Sequence, residues 1–194
     1  HGETPAAMSV SERAGFNKVF QPLMAPVDFV APDDFAALEK LRPRFKKYAA
    51  CIVEPLIQGA GGMKMYSKEY LQRLAVICRE EGVLLVADEI FTGFYRTGTF
   101  LASEQAGIKP DLVCLSKGLT GGFLPLAMTL TTEALFESFK NEDKAKAFLH
   151  GHSYTANPVA CAAGLASFDL LMQDACQKRI KQISSWTQEA LDEI

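Results

Sequence analysis

Short apolar runs alternate along this chain with segments of helical periodicity, and this alternation restricts the possible fold more than any other feature. Four runs have the length and composition of buried strands: residues 49–54 (AACIVE), 83–88 (VLLVAD), 111–116 (DLVCLS) and 126–131 (LAMTLT). Strands that alternate with helices along a chain are typical of α/β proteins. We therefore expect an α/β fold with a mostly parallel central sheet flanked by helices.

Start and stop signals mark the helical segments. Ser67 is placed to cap a helix over residues 68–81, and Gly82 is placed to end it. Residues 33–47 also have a helical pattern, in which Pro43 is expected to bend or end the regular part. The apolar residues of the 68–81 helix fall on one face: Leu71, Leu74, Ile77 and Cys78.

The sequence changes character towards its end. Asn157 followed by Pro158 predicts a helix start, and small residues dominate the stretch VACAAGLASFDLL after it. A mostly polar helix is expected from about Ala175 to the last residue. Because the chain opens on His1 and stops inside this helical pattern, we expect it to be a piece of a longer protein.

Composition excludes several classes of partner. The 194 residues are 48% hydrophobic and carry a formal net charge of -3 without charged blocks, so nothing favours nucleic acid or an anionic membrane. Five scattered cysteines without C-x-x-C spacing predict buried thiols in the reducing cytoplasm. The three histidines lack clustered acids or cysteines, so no metal site is expected.

An acid and a lysine end two of the predicted strands. Asp88 follows VLLVA, and Lys117 follows DLVCLS. In open α/β sheets ligands collect beyond the carboxyl ends of the strands, so both side chains would face one crevice. A lysine amine that forms an imine and a carboxylate beside a pyridine nitrogen are what pyridoxal phosphate needs. From spacing alone, a surface lysine and a capping acid remain the alternative.

Longer motifs surround these two residues. The stretches EPLIQGAGGM (54–63), ADEIFTGFYRTG (87–98), PDLVCLSKGLTGGFLPLA (110–127) and HGHSYTANPVACAA (150–163) resemble, in order and spacing, the class III or omega aminotransferases. The resemblance covers most of the chain. It implies the large domain of a fold-type I transferase, with residues 1–165 in the pyridoxal-phosphate-binding domain and 166–194 leading toward a small C-terminal domain.

The resemblance also implies roles for single residues. Lys117 would be the Schiff-base lysine that shuttles a proton, and Asp88 would hold the pyridinium proton. Ile90 would lie against one face of the cofactor ring, although ordinary core packing is an equal reading. Gly151 and Ser153 match a segment that reaches across a homodimer to the cofactor phosphate of the other subunit; a plain helix-entry loop is the alternative.

Five further positions match the family near the cofactor or the substrate. His1 and Gly2 resemble the end of a cofactor-binding motif. Glu54 and Gln58 fall where the family places an active-site wall, and a structural ion pair is the alternative for Glu54. Arg96 is expected either to orient the loop after the acid or to touch substrate.

Within the family, the motifs are most similar to the branch that acts in biotin synthesis. The implied reaction moves an amino group to 8-amino-7-oxononanoate and gives 7,8-diaminononanoate, with S-adenosylmethionine or lysine as donor. Two alternatives stay open. One is a family member acting on ornithine, 4-aminobutyrate or another omega-amine, and the other is a catalytically incomplete module for folding or dimerisation.

Overall fold

The computed structural model describes residues 1–13, 15 and 17–193, and its centre is a four-stranded sheet. Its strands are β1 (Ala50–Val53), β2 (Leu84–Asp88), β3 (Leu112–Leu115) and β4 (Met128–Thr131), in the spatial order β1-β2-β3-β4. β1, β2 and β3 are parallel, and β4 is antiparallel to β3. The predicted α/β class with a mostly parallel sheet is confirmed.

Strand register brings the functional ends together. Val53 of β1 pairs with Ala87 of β2, and Asp88 of β2 pairs with Cys114 of β3. One further hydrogen bond, from the Glu89 amide to the Cys114 carbonyl (3.0 Å), extends the β2–β3 pairing beyond the last strand residue. The segments that follow β1, β2 and β3 therefore leave the sheet at one edge.

Helices cover the sheet and extend the chain beyond it. The described residues form α1 (Pro5–Val10), α2 (Phe35–Leu41), α3 (Lys68–Glu81), α4 (Glu133–Phe139), α5 (Pro158–Leu171) and α6 (Asp174–Asp192). The helices expected after Ser67, after Asn157 and near Ala175 are confirmed as α3, α5 and α6. The expected helical segment 33–47 is α2 followed by a 3-10 turn, Arg42–Lys47, which contains Pro43.

Helix α3 shows how local sequence sets an element's limits. The Ser67 hydroxyl accepts a hydrogen bond from the Tyr70 amide (3.2 Å), and Gly82 adopts a left-handed φ of 70° at the other end. The apolar face packs into the main core with Phe45, Val83 and Leu85. Its predicted members are all buried: Leu71, Leu74, Ile77 and Cys78.

Apolar side chains stay exposed on the elements farthest from this core. All four residues of β4 are exposed, and so are Leu165 of α5 and Trp186 of α6. In the part of the chain that the structure describes, no single helix has the length and apolar character to cross a bilayer, although α5 and α6, bent by 71°, pass that test as a pair on length and composition only.

Candidate active site

Asp88 ends β2 with a buried carboxylate, 7% exposed. Its Oδ1 accepts a hydrogen bond from the Ile90 amide (3.1 Å), and its Oδ2 lies 3.6 Å from the main-chain nitrogen of His1. Burial, and then the negative charge of Asp88, raise the pKa of the Cys114 thiol on the neighbouring strand. Cys114 is thus held as a neutral neighbour of this carboxylate.

Lys117 lies two residues beyond β3, at the start of the 3-10 turn Lys117–Thr120. Its φ is +49°, a left-handed conformation that costs a non-glycine residue about 1–2 kcal/mol. The turn is closed by hydrogen bonds from the Gly121 amide to the Gly118 carbonyl (3.0 Å) and from the Gly122 amide to the Lys117 carbonyl (3.1 Å). Backbone strain at this residue persists because the surrounding structure determines the turn.

Phe91 links Lys117 to the loop after β1. The Lys117 ammonium lies 5.5 Å from the centre of the Phe91 ring, within the range of a cation–π interaction. The ring also approaches Gly59, where an added Cβ would lie 3.0 Å from the ring Cγ. The Gly59 amide donates to Glu54 Oε2 (2.7 Å). The loop containing Glu54, the segment after Asp88 and the Lys117 turn therefore meet around one aromatic ring.

A cavity of about 470 Å³ opens beside β1 and reaches Asp88. His1, Glu54 and Gln58 are among the residues that line it. Among the described residues, neither Lys117 nor Ile90 contributes to this lining. Four of the predicted site residues, His1, Glu54, Gln58 and Asp88, therefore lie around one cavity, and Lys117 lies outside its lining.

Helix α5 supports the Lys117 turn from behind. The Ser167 hydroxyl donates to the Gly118 carbonyl (3.4 Å), and an added Cβ at Gly164 would lie 3.7 Å from the Leu119 carbonyl oxygen. The small residues predicted for this helix allow the close approach. From the Asp88 side, the Phe94 ring packs so tightly on Gly118 that a Cβ there would lie 2.8 Å from Phe94 Cδ2.

The remaining predicted residues lie apart from the Asp88 carboxylate. Gly151 and Ser153 are exposed in a turn before α5, closed by a hydrogen bond from the His152 amide to Thr155 Oγ1 (3.0 Å). Arg96 is exposed, and its amide donates to the Gly93 carbonyl (3.4 Å).

Two predictions near the N-terminus and β1 are refined by the contacts there. Gly2 packs against Ala7, where an added Cβ would lie 2.7 Å from Ala7 Cβ, so its place demands a glycine. Within the described chain, Glu54 forms no ion pair, and its carboxylate instead accepts the Gly59 amide. In the same described range, no group of three or more histidine, cysteine, aspartate or glutamate residues could hold a metal ion.

Sequence reasoning missed three residues that shape this site: Glu89, Phe91 and Phe94. Glu89 had a usable signal. Successive side chains of a strand point to opposite faces, so adjacent acids at the end of a buried strand cannot both face the crevice. No pattern marks Phe91 or Phe94, because their importance comes from contacts with Gly59 and Gly118, distant in sequence.

The chemistry of these groups fits pyridoxal phosphate. A buried carboxylate suits a protonated ring nitrogen, a lysine at the same sheet edge suits the aldehyde, and the half-buried Ile90 offers an apolar surface. Gly59 and Gly118 let the Phe91 and Phe94 rings pack closely beside these groups, where a Cβ would meet each ring.

This chain is similar in sequence and structure to known proteins. The family model described as aminotransferase class-III matches residues 1–194. The adenosylmethionine-8-amino-7-oxononanoate aminotransferase of Synechococcus elongatus is 47% identical in an alignment of 186 residues, and the match covers 89% of this chain and 44% of the relative.

Two solved structures share the fold. The adenosylmethionine-8-amino-7-oxononanoate aminotransferase of Methanocaldococcus jannaschii matches with a TM-score of 0.83 at 36% identity, over 92% of this chain and 43% of that one. The ornithine aminotransferase of Toxoplasma gondii, described with partial occupancy of PLP at its active site, matches with a TM-score of 0.85 at 30% identity, over 99% and 43%. This chain spans a little under half the length of each protein.

Proposed function

Because the chain belongs to the class III aminotransferases, we propose that it forms the cofactor-binding core of a pyridoxal-phosphate-dependent aminotransferase. The observation that carries the proposal is the buried Asp88 carboxylate at the end of β2, with Lys117 just beyond the end of the adjacent parallel strand β3. An acid and an amine at one sheet edge are the two groups that this cofactor requires of its protein.

The cofactor, when bound, supplies an aldehyde for amine exchange and a ring that accepts electrons from the substrate carbon. Asp88 would accept a hydrogen bond from the ring nitrogen of the bound cofactor and favour its protonated form. Lys117 would hold the cofactor through Nζ, and its amine would carry a proton to and from the substrate carbon. The Phe91 ring, whose centre lies 5.5 Å from Nζ, would steady that amine by a cation–π interaction.

Other residues position the cofactor. Ile90 would pack against the cofactor ring, and His1, which precedes Gly2, lines the cavity beside Asp88. Gly151 and Ser153 offer backbone amides and a hydroxyl suited to a phosphate. Their exposed turn supports a role across a homodimer, in which each copy completes the other's site.

The substrate would bind against the part of the cavity lining that contains Glu54 and Gln58. Glu54 and Gln58 line the cavity that reaches Asp88, which supports a role in substrate recognition. Arg96 is exposed on the loop after Asp88 and closes a turn onto Gly93, which supports orienting that loop rather than touching substrate.

The substrate proposed for the complete protein is 8-amino-7-oxononanoate, with 7,8-diaminononanoate as product in biotin synthesis. The similarity to the adenosylmethionine-8-amino-7-oxononanoate aminotransferases of Synechococcus elongatus and Methanocaldococcus jannaschii supports this acceptor, and supports S-adenosylmethionine as donor over lysine. The likeness to the Toxoplasma gondii ornithine aminotransferase makes ornithine the second candidate.

We place residues 1–165 in the large domain and 166–194 in the segment leading to a small domain. That boundary falls inside the continuous helix α5, so this helix would connect the large domain to the small one. The five cysteines are all free thiols, which supports a cytoplasmic location.

Replacing Lys117 tests the catalytic proposal. Lys117→Ala should abolish amino transfer, and Lys117→Arg should be equally inactive because a guanidinium keeps the charge but cannot hold the cofactor covalently. Turnover of 8-amino-7-oxononanoate is measured with S-adenosylmethionine and with lysine as donor, beside ornithine and 4-aminobutyrate as rival substrates. Normal turnover by either variant would contradict the role of Lys117. Activity on ornithine alone would replace the proposed acceptor, and cofactor binding without any transfer would favour the non-catalytic module.

A further inference from the structure

Glu89 is a fully buried acid, 0% exposed, to which the proposed chemistry gives no role. Its carboxylate accepts three hydrogen bonds, from the Thr92 hydroxyl (2.5 Å), the Ala102 amide (3.0 Å) and the Ser103 amide (2.8 Å). Within the described residues Glu89 forms no ion pair, so these neutral donors alone offset the cost of burying it. Burial of the Glu89 carboxyl group is therefore costly unless all three of these hydrogen bonds are made.

The backbone of Glu89 ties the same region to the sheet. Its amide donates to the Cys114 carbonyl on β3 (3.0 Å), and its carbonyl accepts the Gly93 amide (2.9 Å). An added Cβ at Gly93 would lie 2.8 Å from that carbonyl oxygen, so the turn closes directly onto Glu89. Side chain and backbone together fix both ends of the loop from Ile90 to Leu101.

This loop carries the two rings that determine the surroundings of Lys117. Phe91 lies under the Lys117 ammonium, and Phe94 packs on Gly118, the next residue in the chain. The amide of Phe94 donates to the Phe100 carbonyl (2.7 Å), which closes the loop on itself. Lys117 has a strained backbone that needs such external support.

We infer that Glu89 is a positioning residue of the aminotransferase site: its buried carboxylate fixes the loop that holds Asp88 and Lys117 in their relative geometry. The inference rests on the proposed function. Glu89 acts through Phe91 and Phe94, and this role requires no contact between Glu89 and the cofactor or substrate.

Thr92 offers a matched pair of variants. Thr92→Val keeps the shape of the side chain but removes the hydroxyl that donates to Glu89, whereas Thr92→Ser keeps the hydroxyl and loses a methyl group. Glu89→Gln replaces one acceptor oxygen by an NH₂ group that would face an amide donor. Asp111→Asn is the control for general destabilisation, because the Asp111 carboxylate accepts the Leu85 amide (2.8 Å) at the opposite edge of the sheet.

The experiment uses the pyridoxal-phosphate-loaded protein, with kcat, KM and the induced circular dichroism of the bound cofactor as readouts. Glu89→Gln and Thr92→Val should lower kcat by about 10- to 100-fold, since small misplacements of reacting groups have effects of that size. KM should change by less than about threefold, and the cofactor's circular dichroism should change. Thr92→Ser should keep most of kcat, and Asp111→Asn should lower the melting temperature alone.

Equal losses of kcat in Thr92→Val and Thr92→Ser, or the wild-type cofactor spectrum in both Thr92→Val and Glu89→Gln, would overturn the inference. If Glu89→Gln does not fold, the two Thr92 variants decide. Failure of the wild-type protein to bind pyridoxal phosphate at Lys117 is a separate result that contradicts the proposed function itself.

Discussion

Gly118→Ala probes the tight contact that fixes the Lys117 turn. The new methyl group would lie 2.8 Å from Cδ2 and 3.0 Å from Cβ and Cγ of Phe94, closer than real Cβ contacts come. Phe94 has little freedom to yield, because its φ is +58° and its ring packs edge-on against Phe100 at 5.4 Å. We therefore expect the turn or the ring to be displaced.

The size of the effect follows from two opposing terms. Overpacking a tight site costs about 1–3 kcal/mol, and alanine regains about 0.5–1 kcal/mol over glycine through the unfolded chain. The difference between the two terms is about 0–2.5 kcal/mol, and a net loss of about 1 kcal/mol near the middle of this range should lower the melting temperature of a domain of this size by about 2–4 °C. The displaced turn should also weaken cofactor binding, because Lys117 is the preceding residue.

The assay is thermal unfolding of a double-mutant cycle. Gly118→Ala should cost less in a Phe94→Leu background, because the smaller side chain removes the ring that the methyl group meets. Gly15→Ala is the control, since an added Cβ there would meet no atom of the described residues within 4 Å. An equal cost of Gly118→Ala in both backgrounds, or no loss of stability at all, would refute the reasoning.

Three further predictions concern the acid, the core and a helix end. Asp88→Asn removes a charged hydrogen-bond partner worth about 1.5–3 kcal/mol, so the substrate half-reaction should slow by about 10- to 100-fold in stopped-flow traces; an unchanged rate would argue against its role. Burial raises the pKa of Tyr70 from 10.0 to about 12. The unfolded chain therefore ionises first above pH 10, stability falls as the pH rises, and Tyr70→Phe should reduce the difference between unfolding midpoints measured at about pH 9 and about pH 11. Ser67→Ala removes the hydroxyl that caps α3 and donates to Asp33, and it should cost about 1 kcal/mol in urea unfolding, whereas Ser67→Thr should retain both hydrogen bonds.

Local signals made much of the fold predictable. Helix α3 was found because Ser67 and Gly82 mark its ends and its apolar face has a helical period. Helices α1 and α4 were not predicted because their six and seven residues are too few to establish a period, whereas the equally short α2 belongs to a longer helical pattern that continues into the 3-10 turn Arg42–Lys47. The direction of β4 also could not be predicted, since a four-residue apolar run has the same pattern in parallel and antiparallel pairing.

The sequence allowed a hypothesis for the chemistry of the site but none for its support. Asp88 and Lys117 stand at strand ends, where ligands bind in open α/β sheets, but their types and positions left a surface lysine and a capping acid as the alternative. The cofactor roles come from the resemblance of the surrounding motifs to a family, and they stay a prediction. The left-handed backbone of Lys117 and the rings of Phe91 and Phe94 depend on contacts between segments that only the folded chain brings together. Such tertiary contacts leave no periodic mark on the sequence.

The most direct test of the central proposal is to find where pyridoxal phosphate attaches. The protein is incubated with the cofactor, its visible spectrum is recorded, borohydride is added, and the labelled lysine is identified by peptide mapping, with Lys117→Arg as the matched control. We predict a visible band that borohydride removes, with the label on Lys117 and none on the variant. A label on another lysine, or the same labelling in Lys117→Arg, would contradict the assignment of Lys117 as the cofactor lysine.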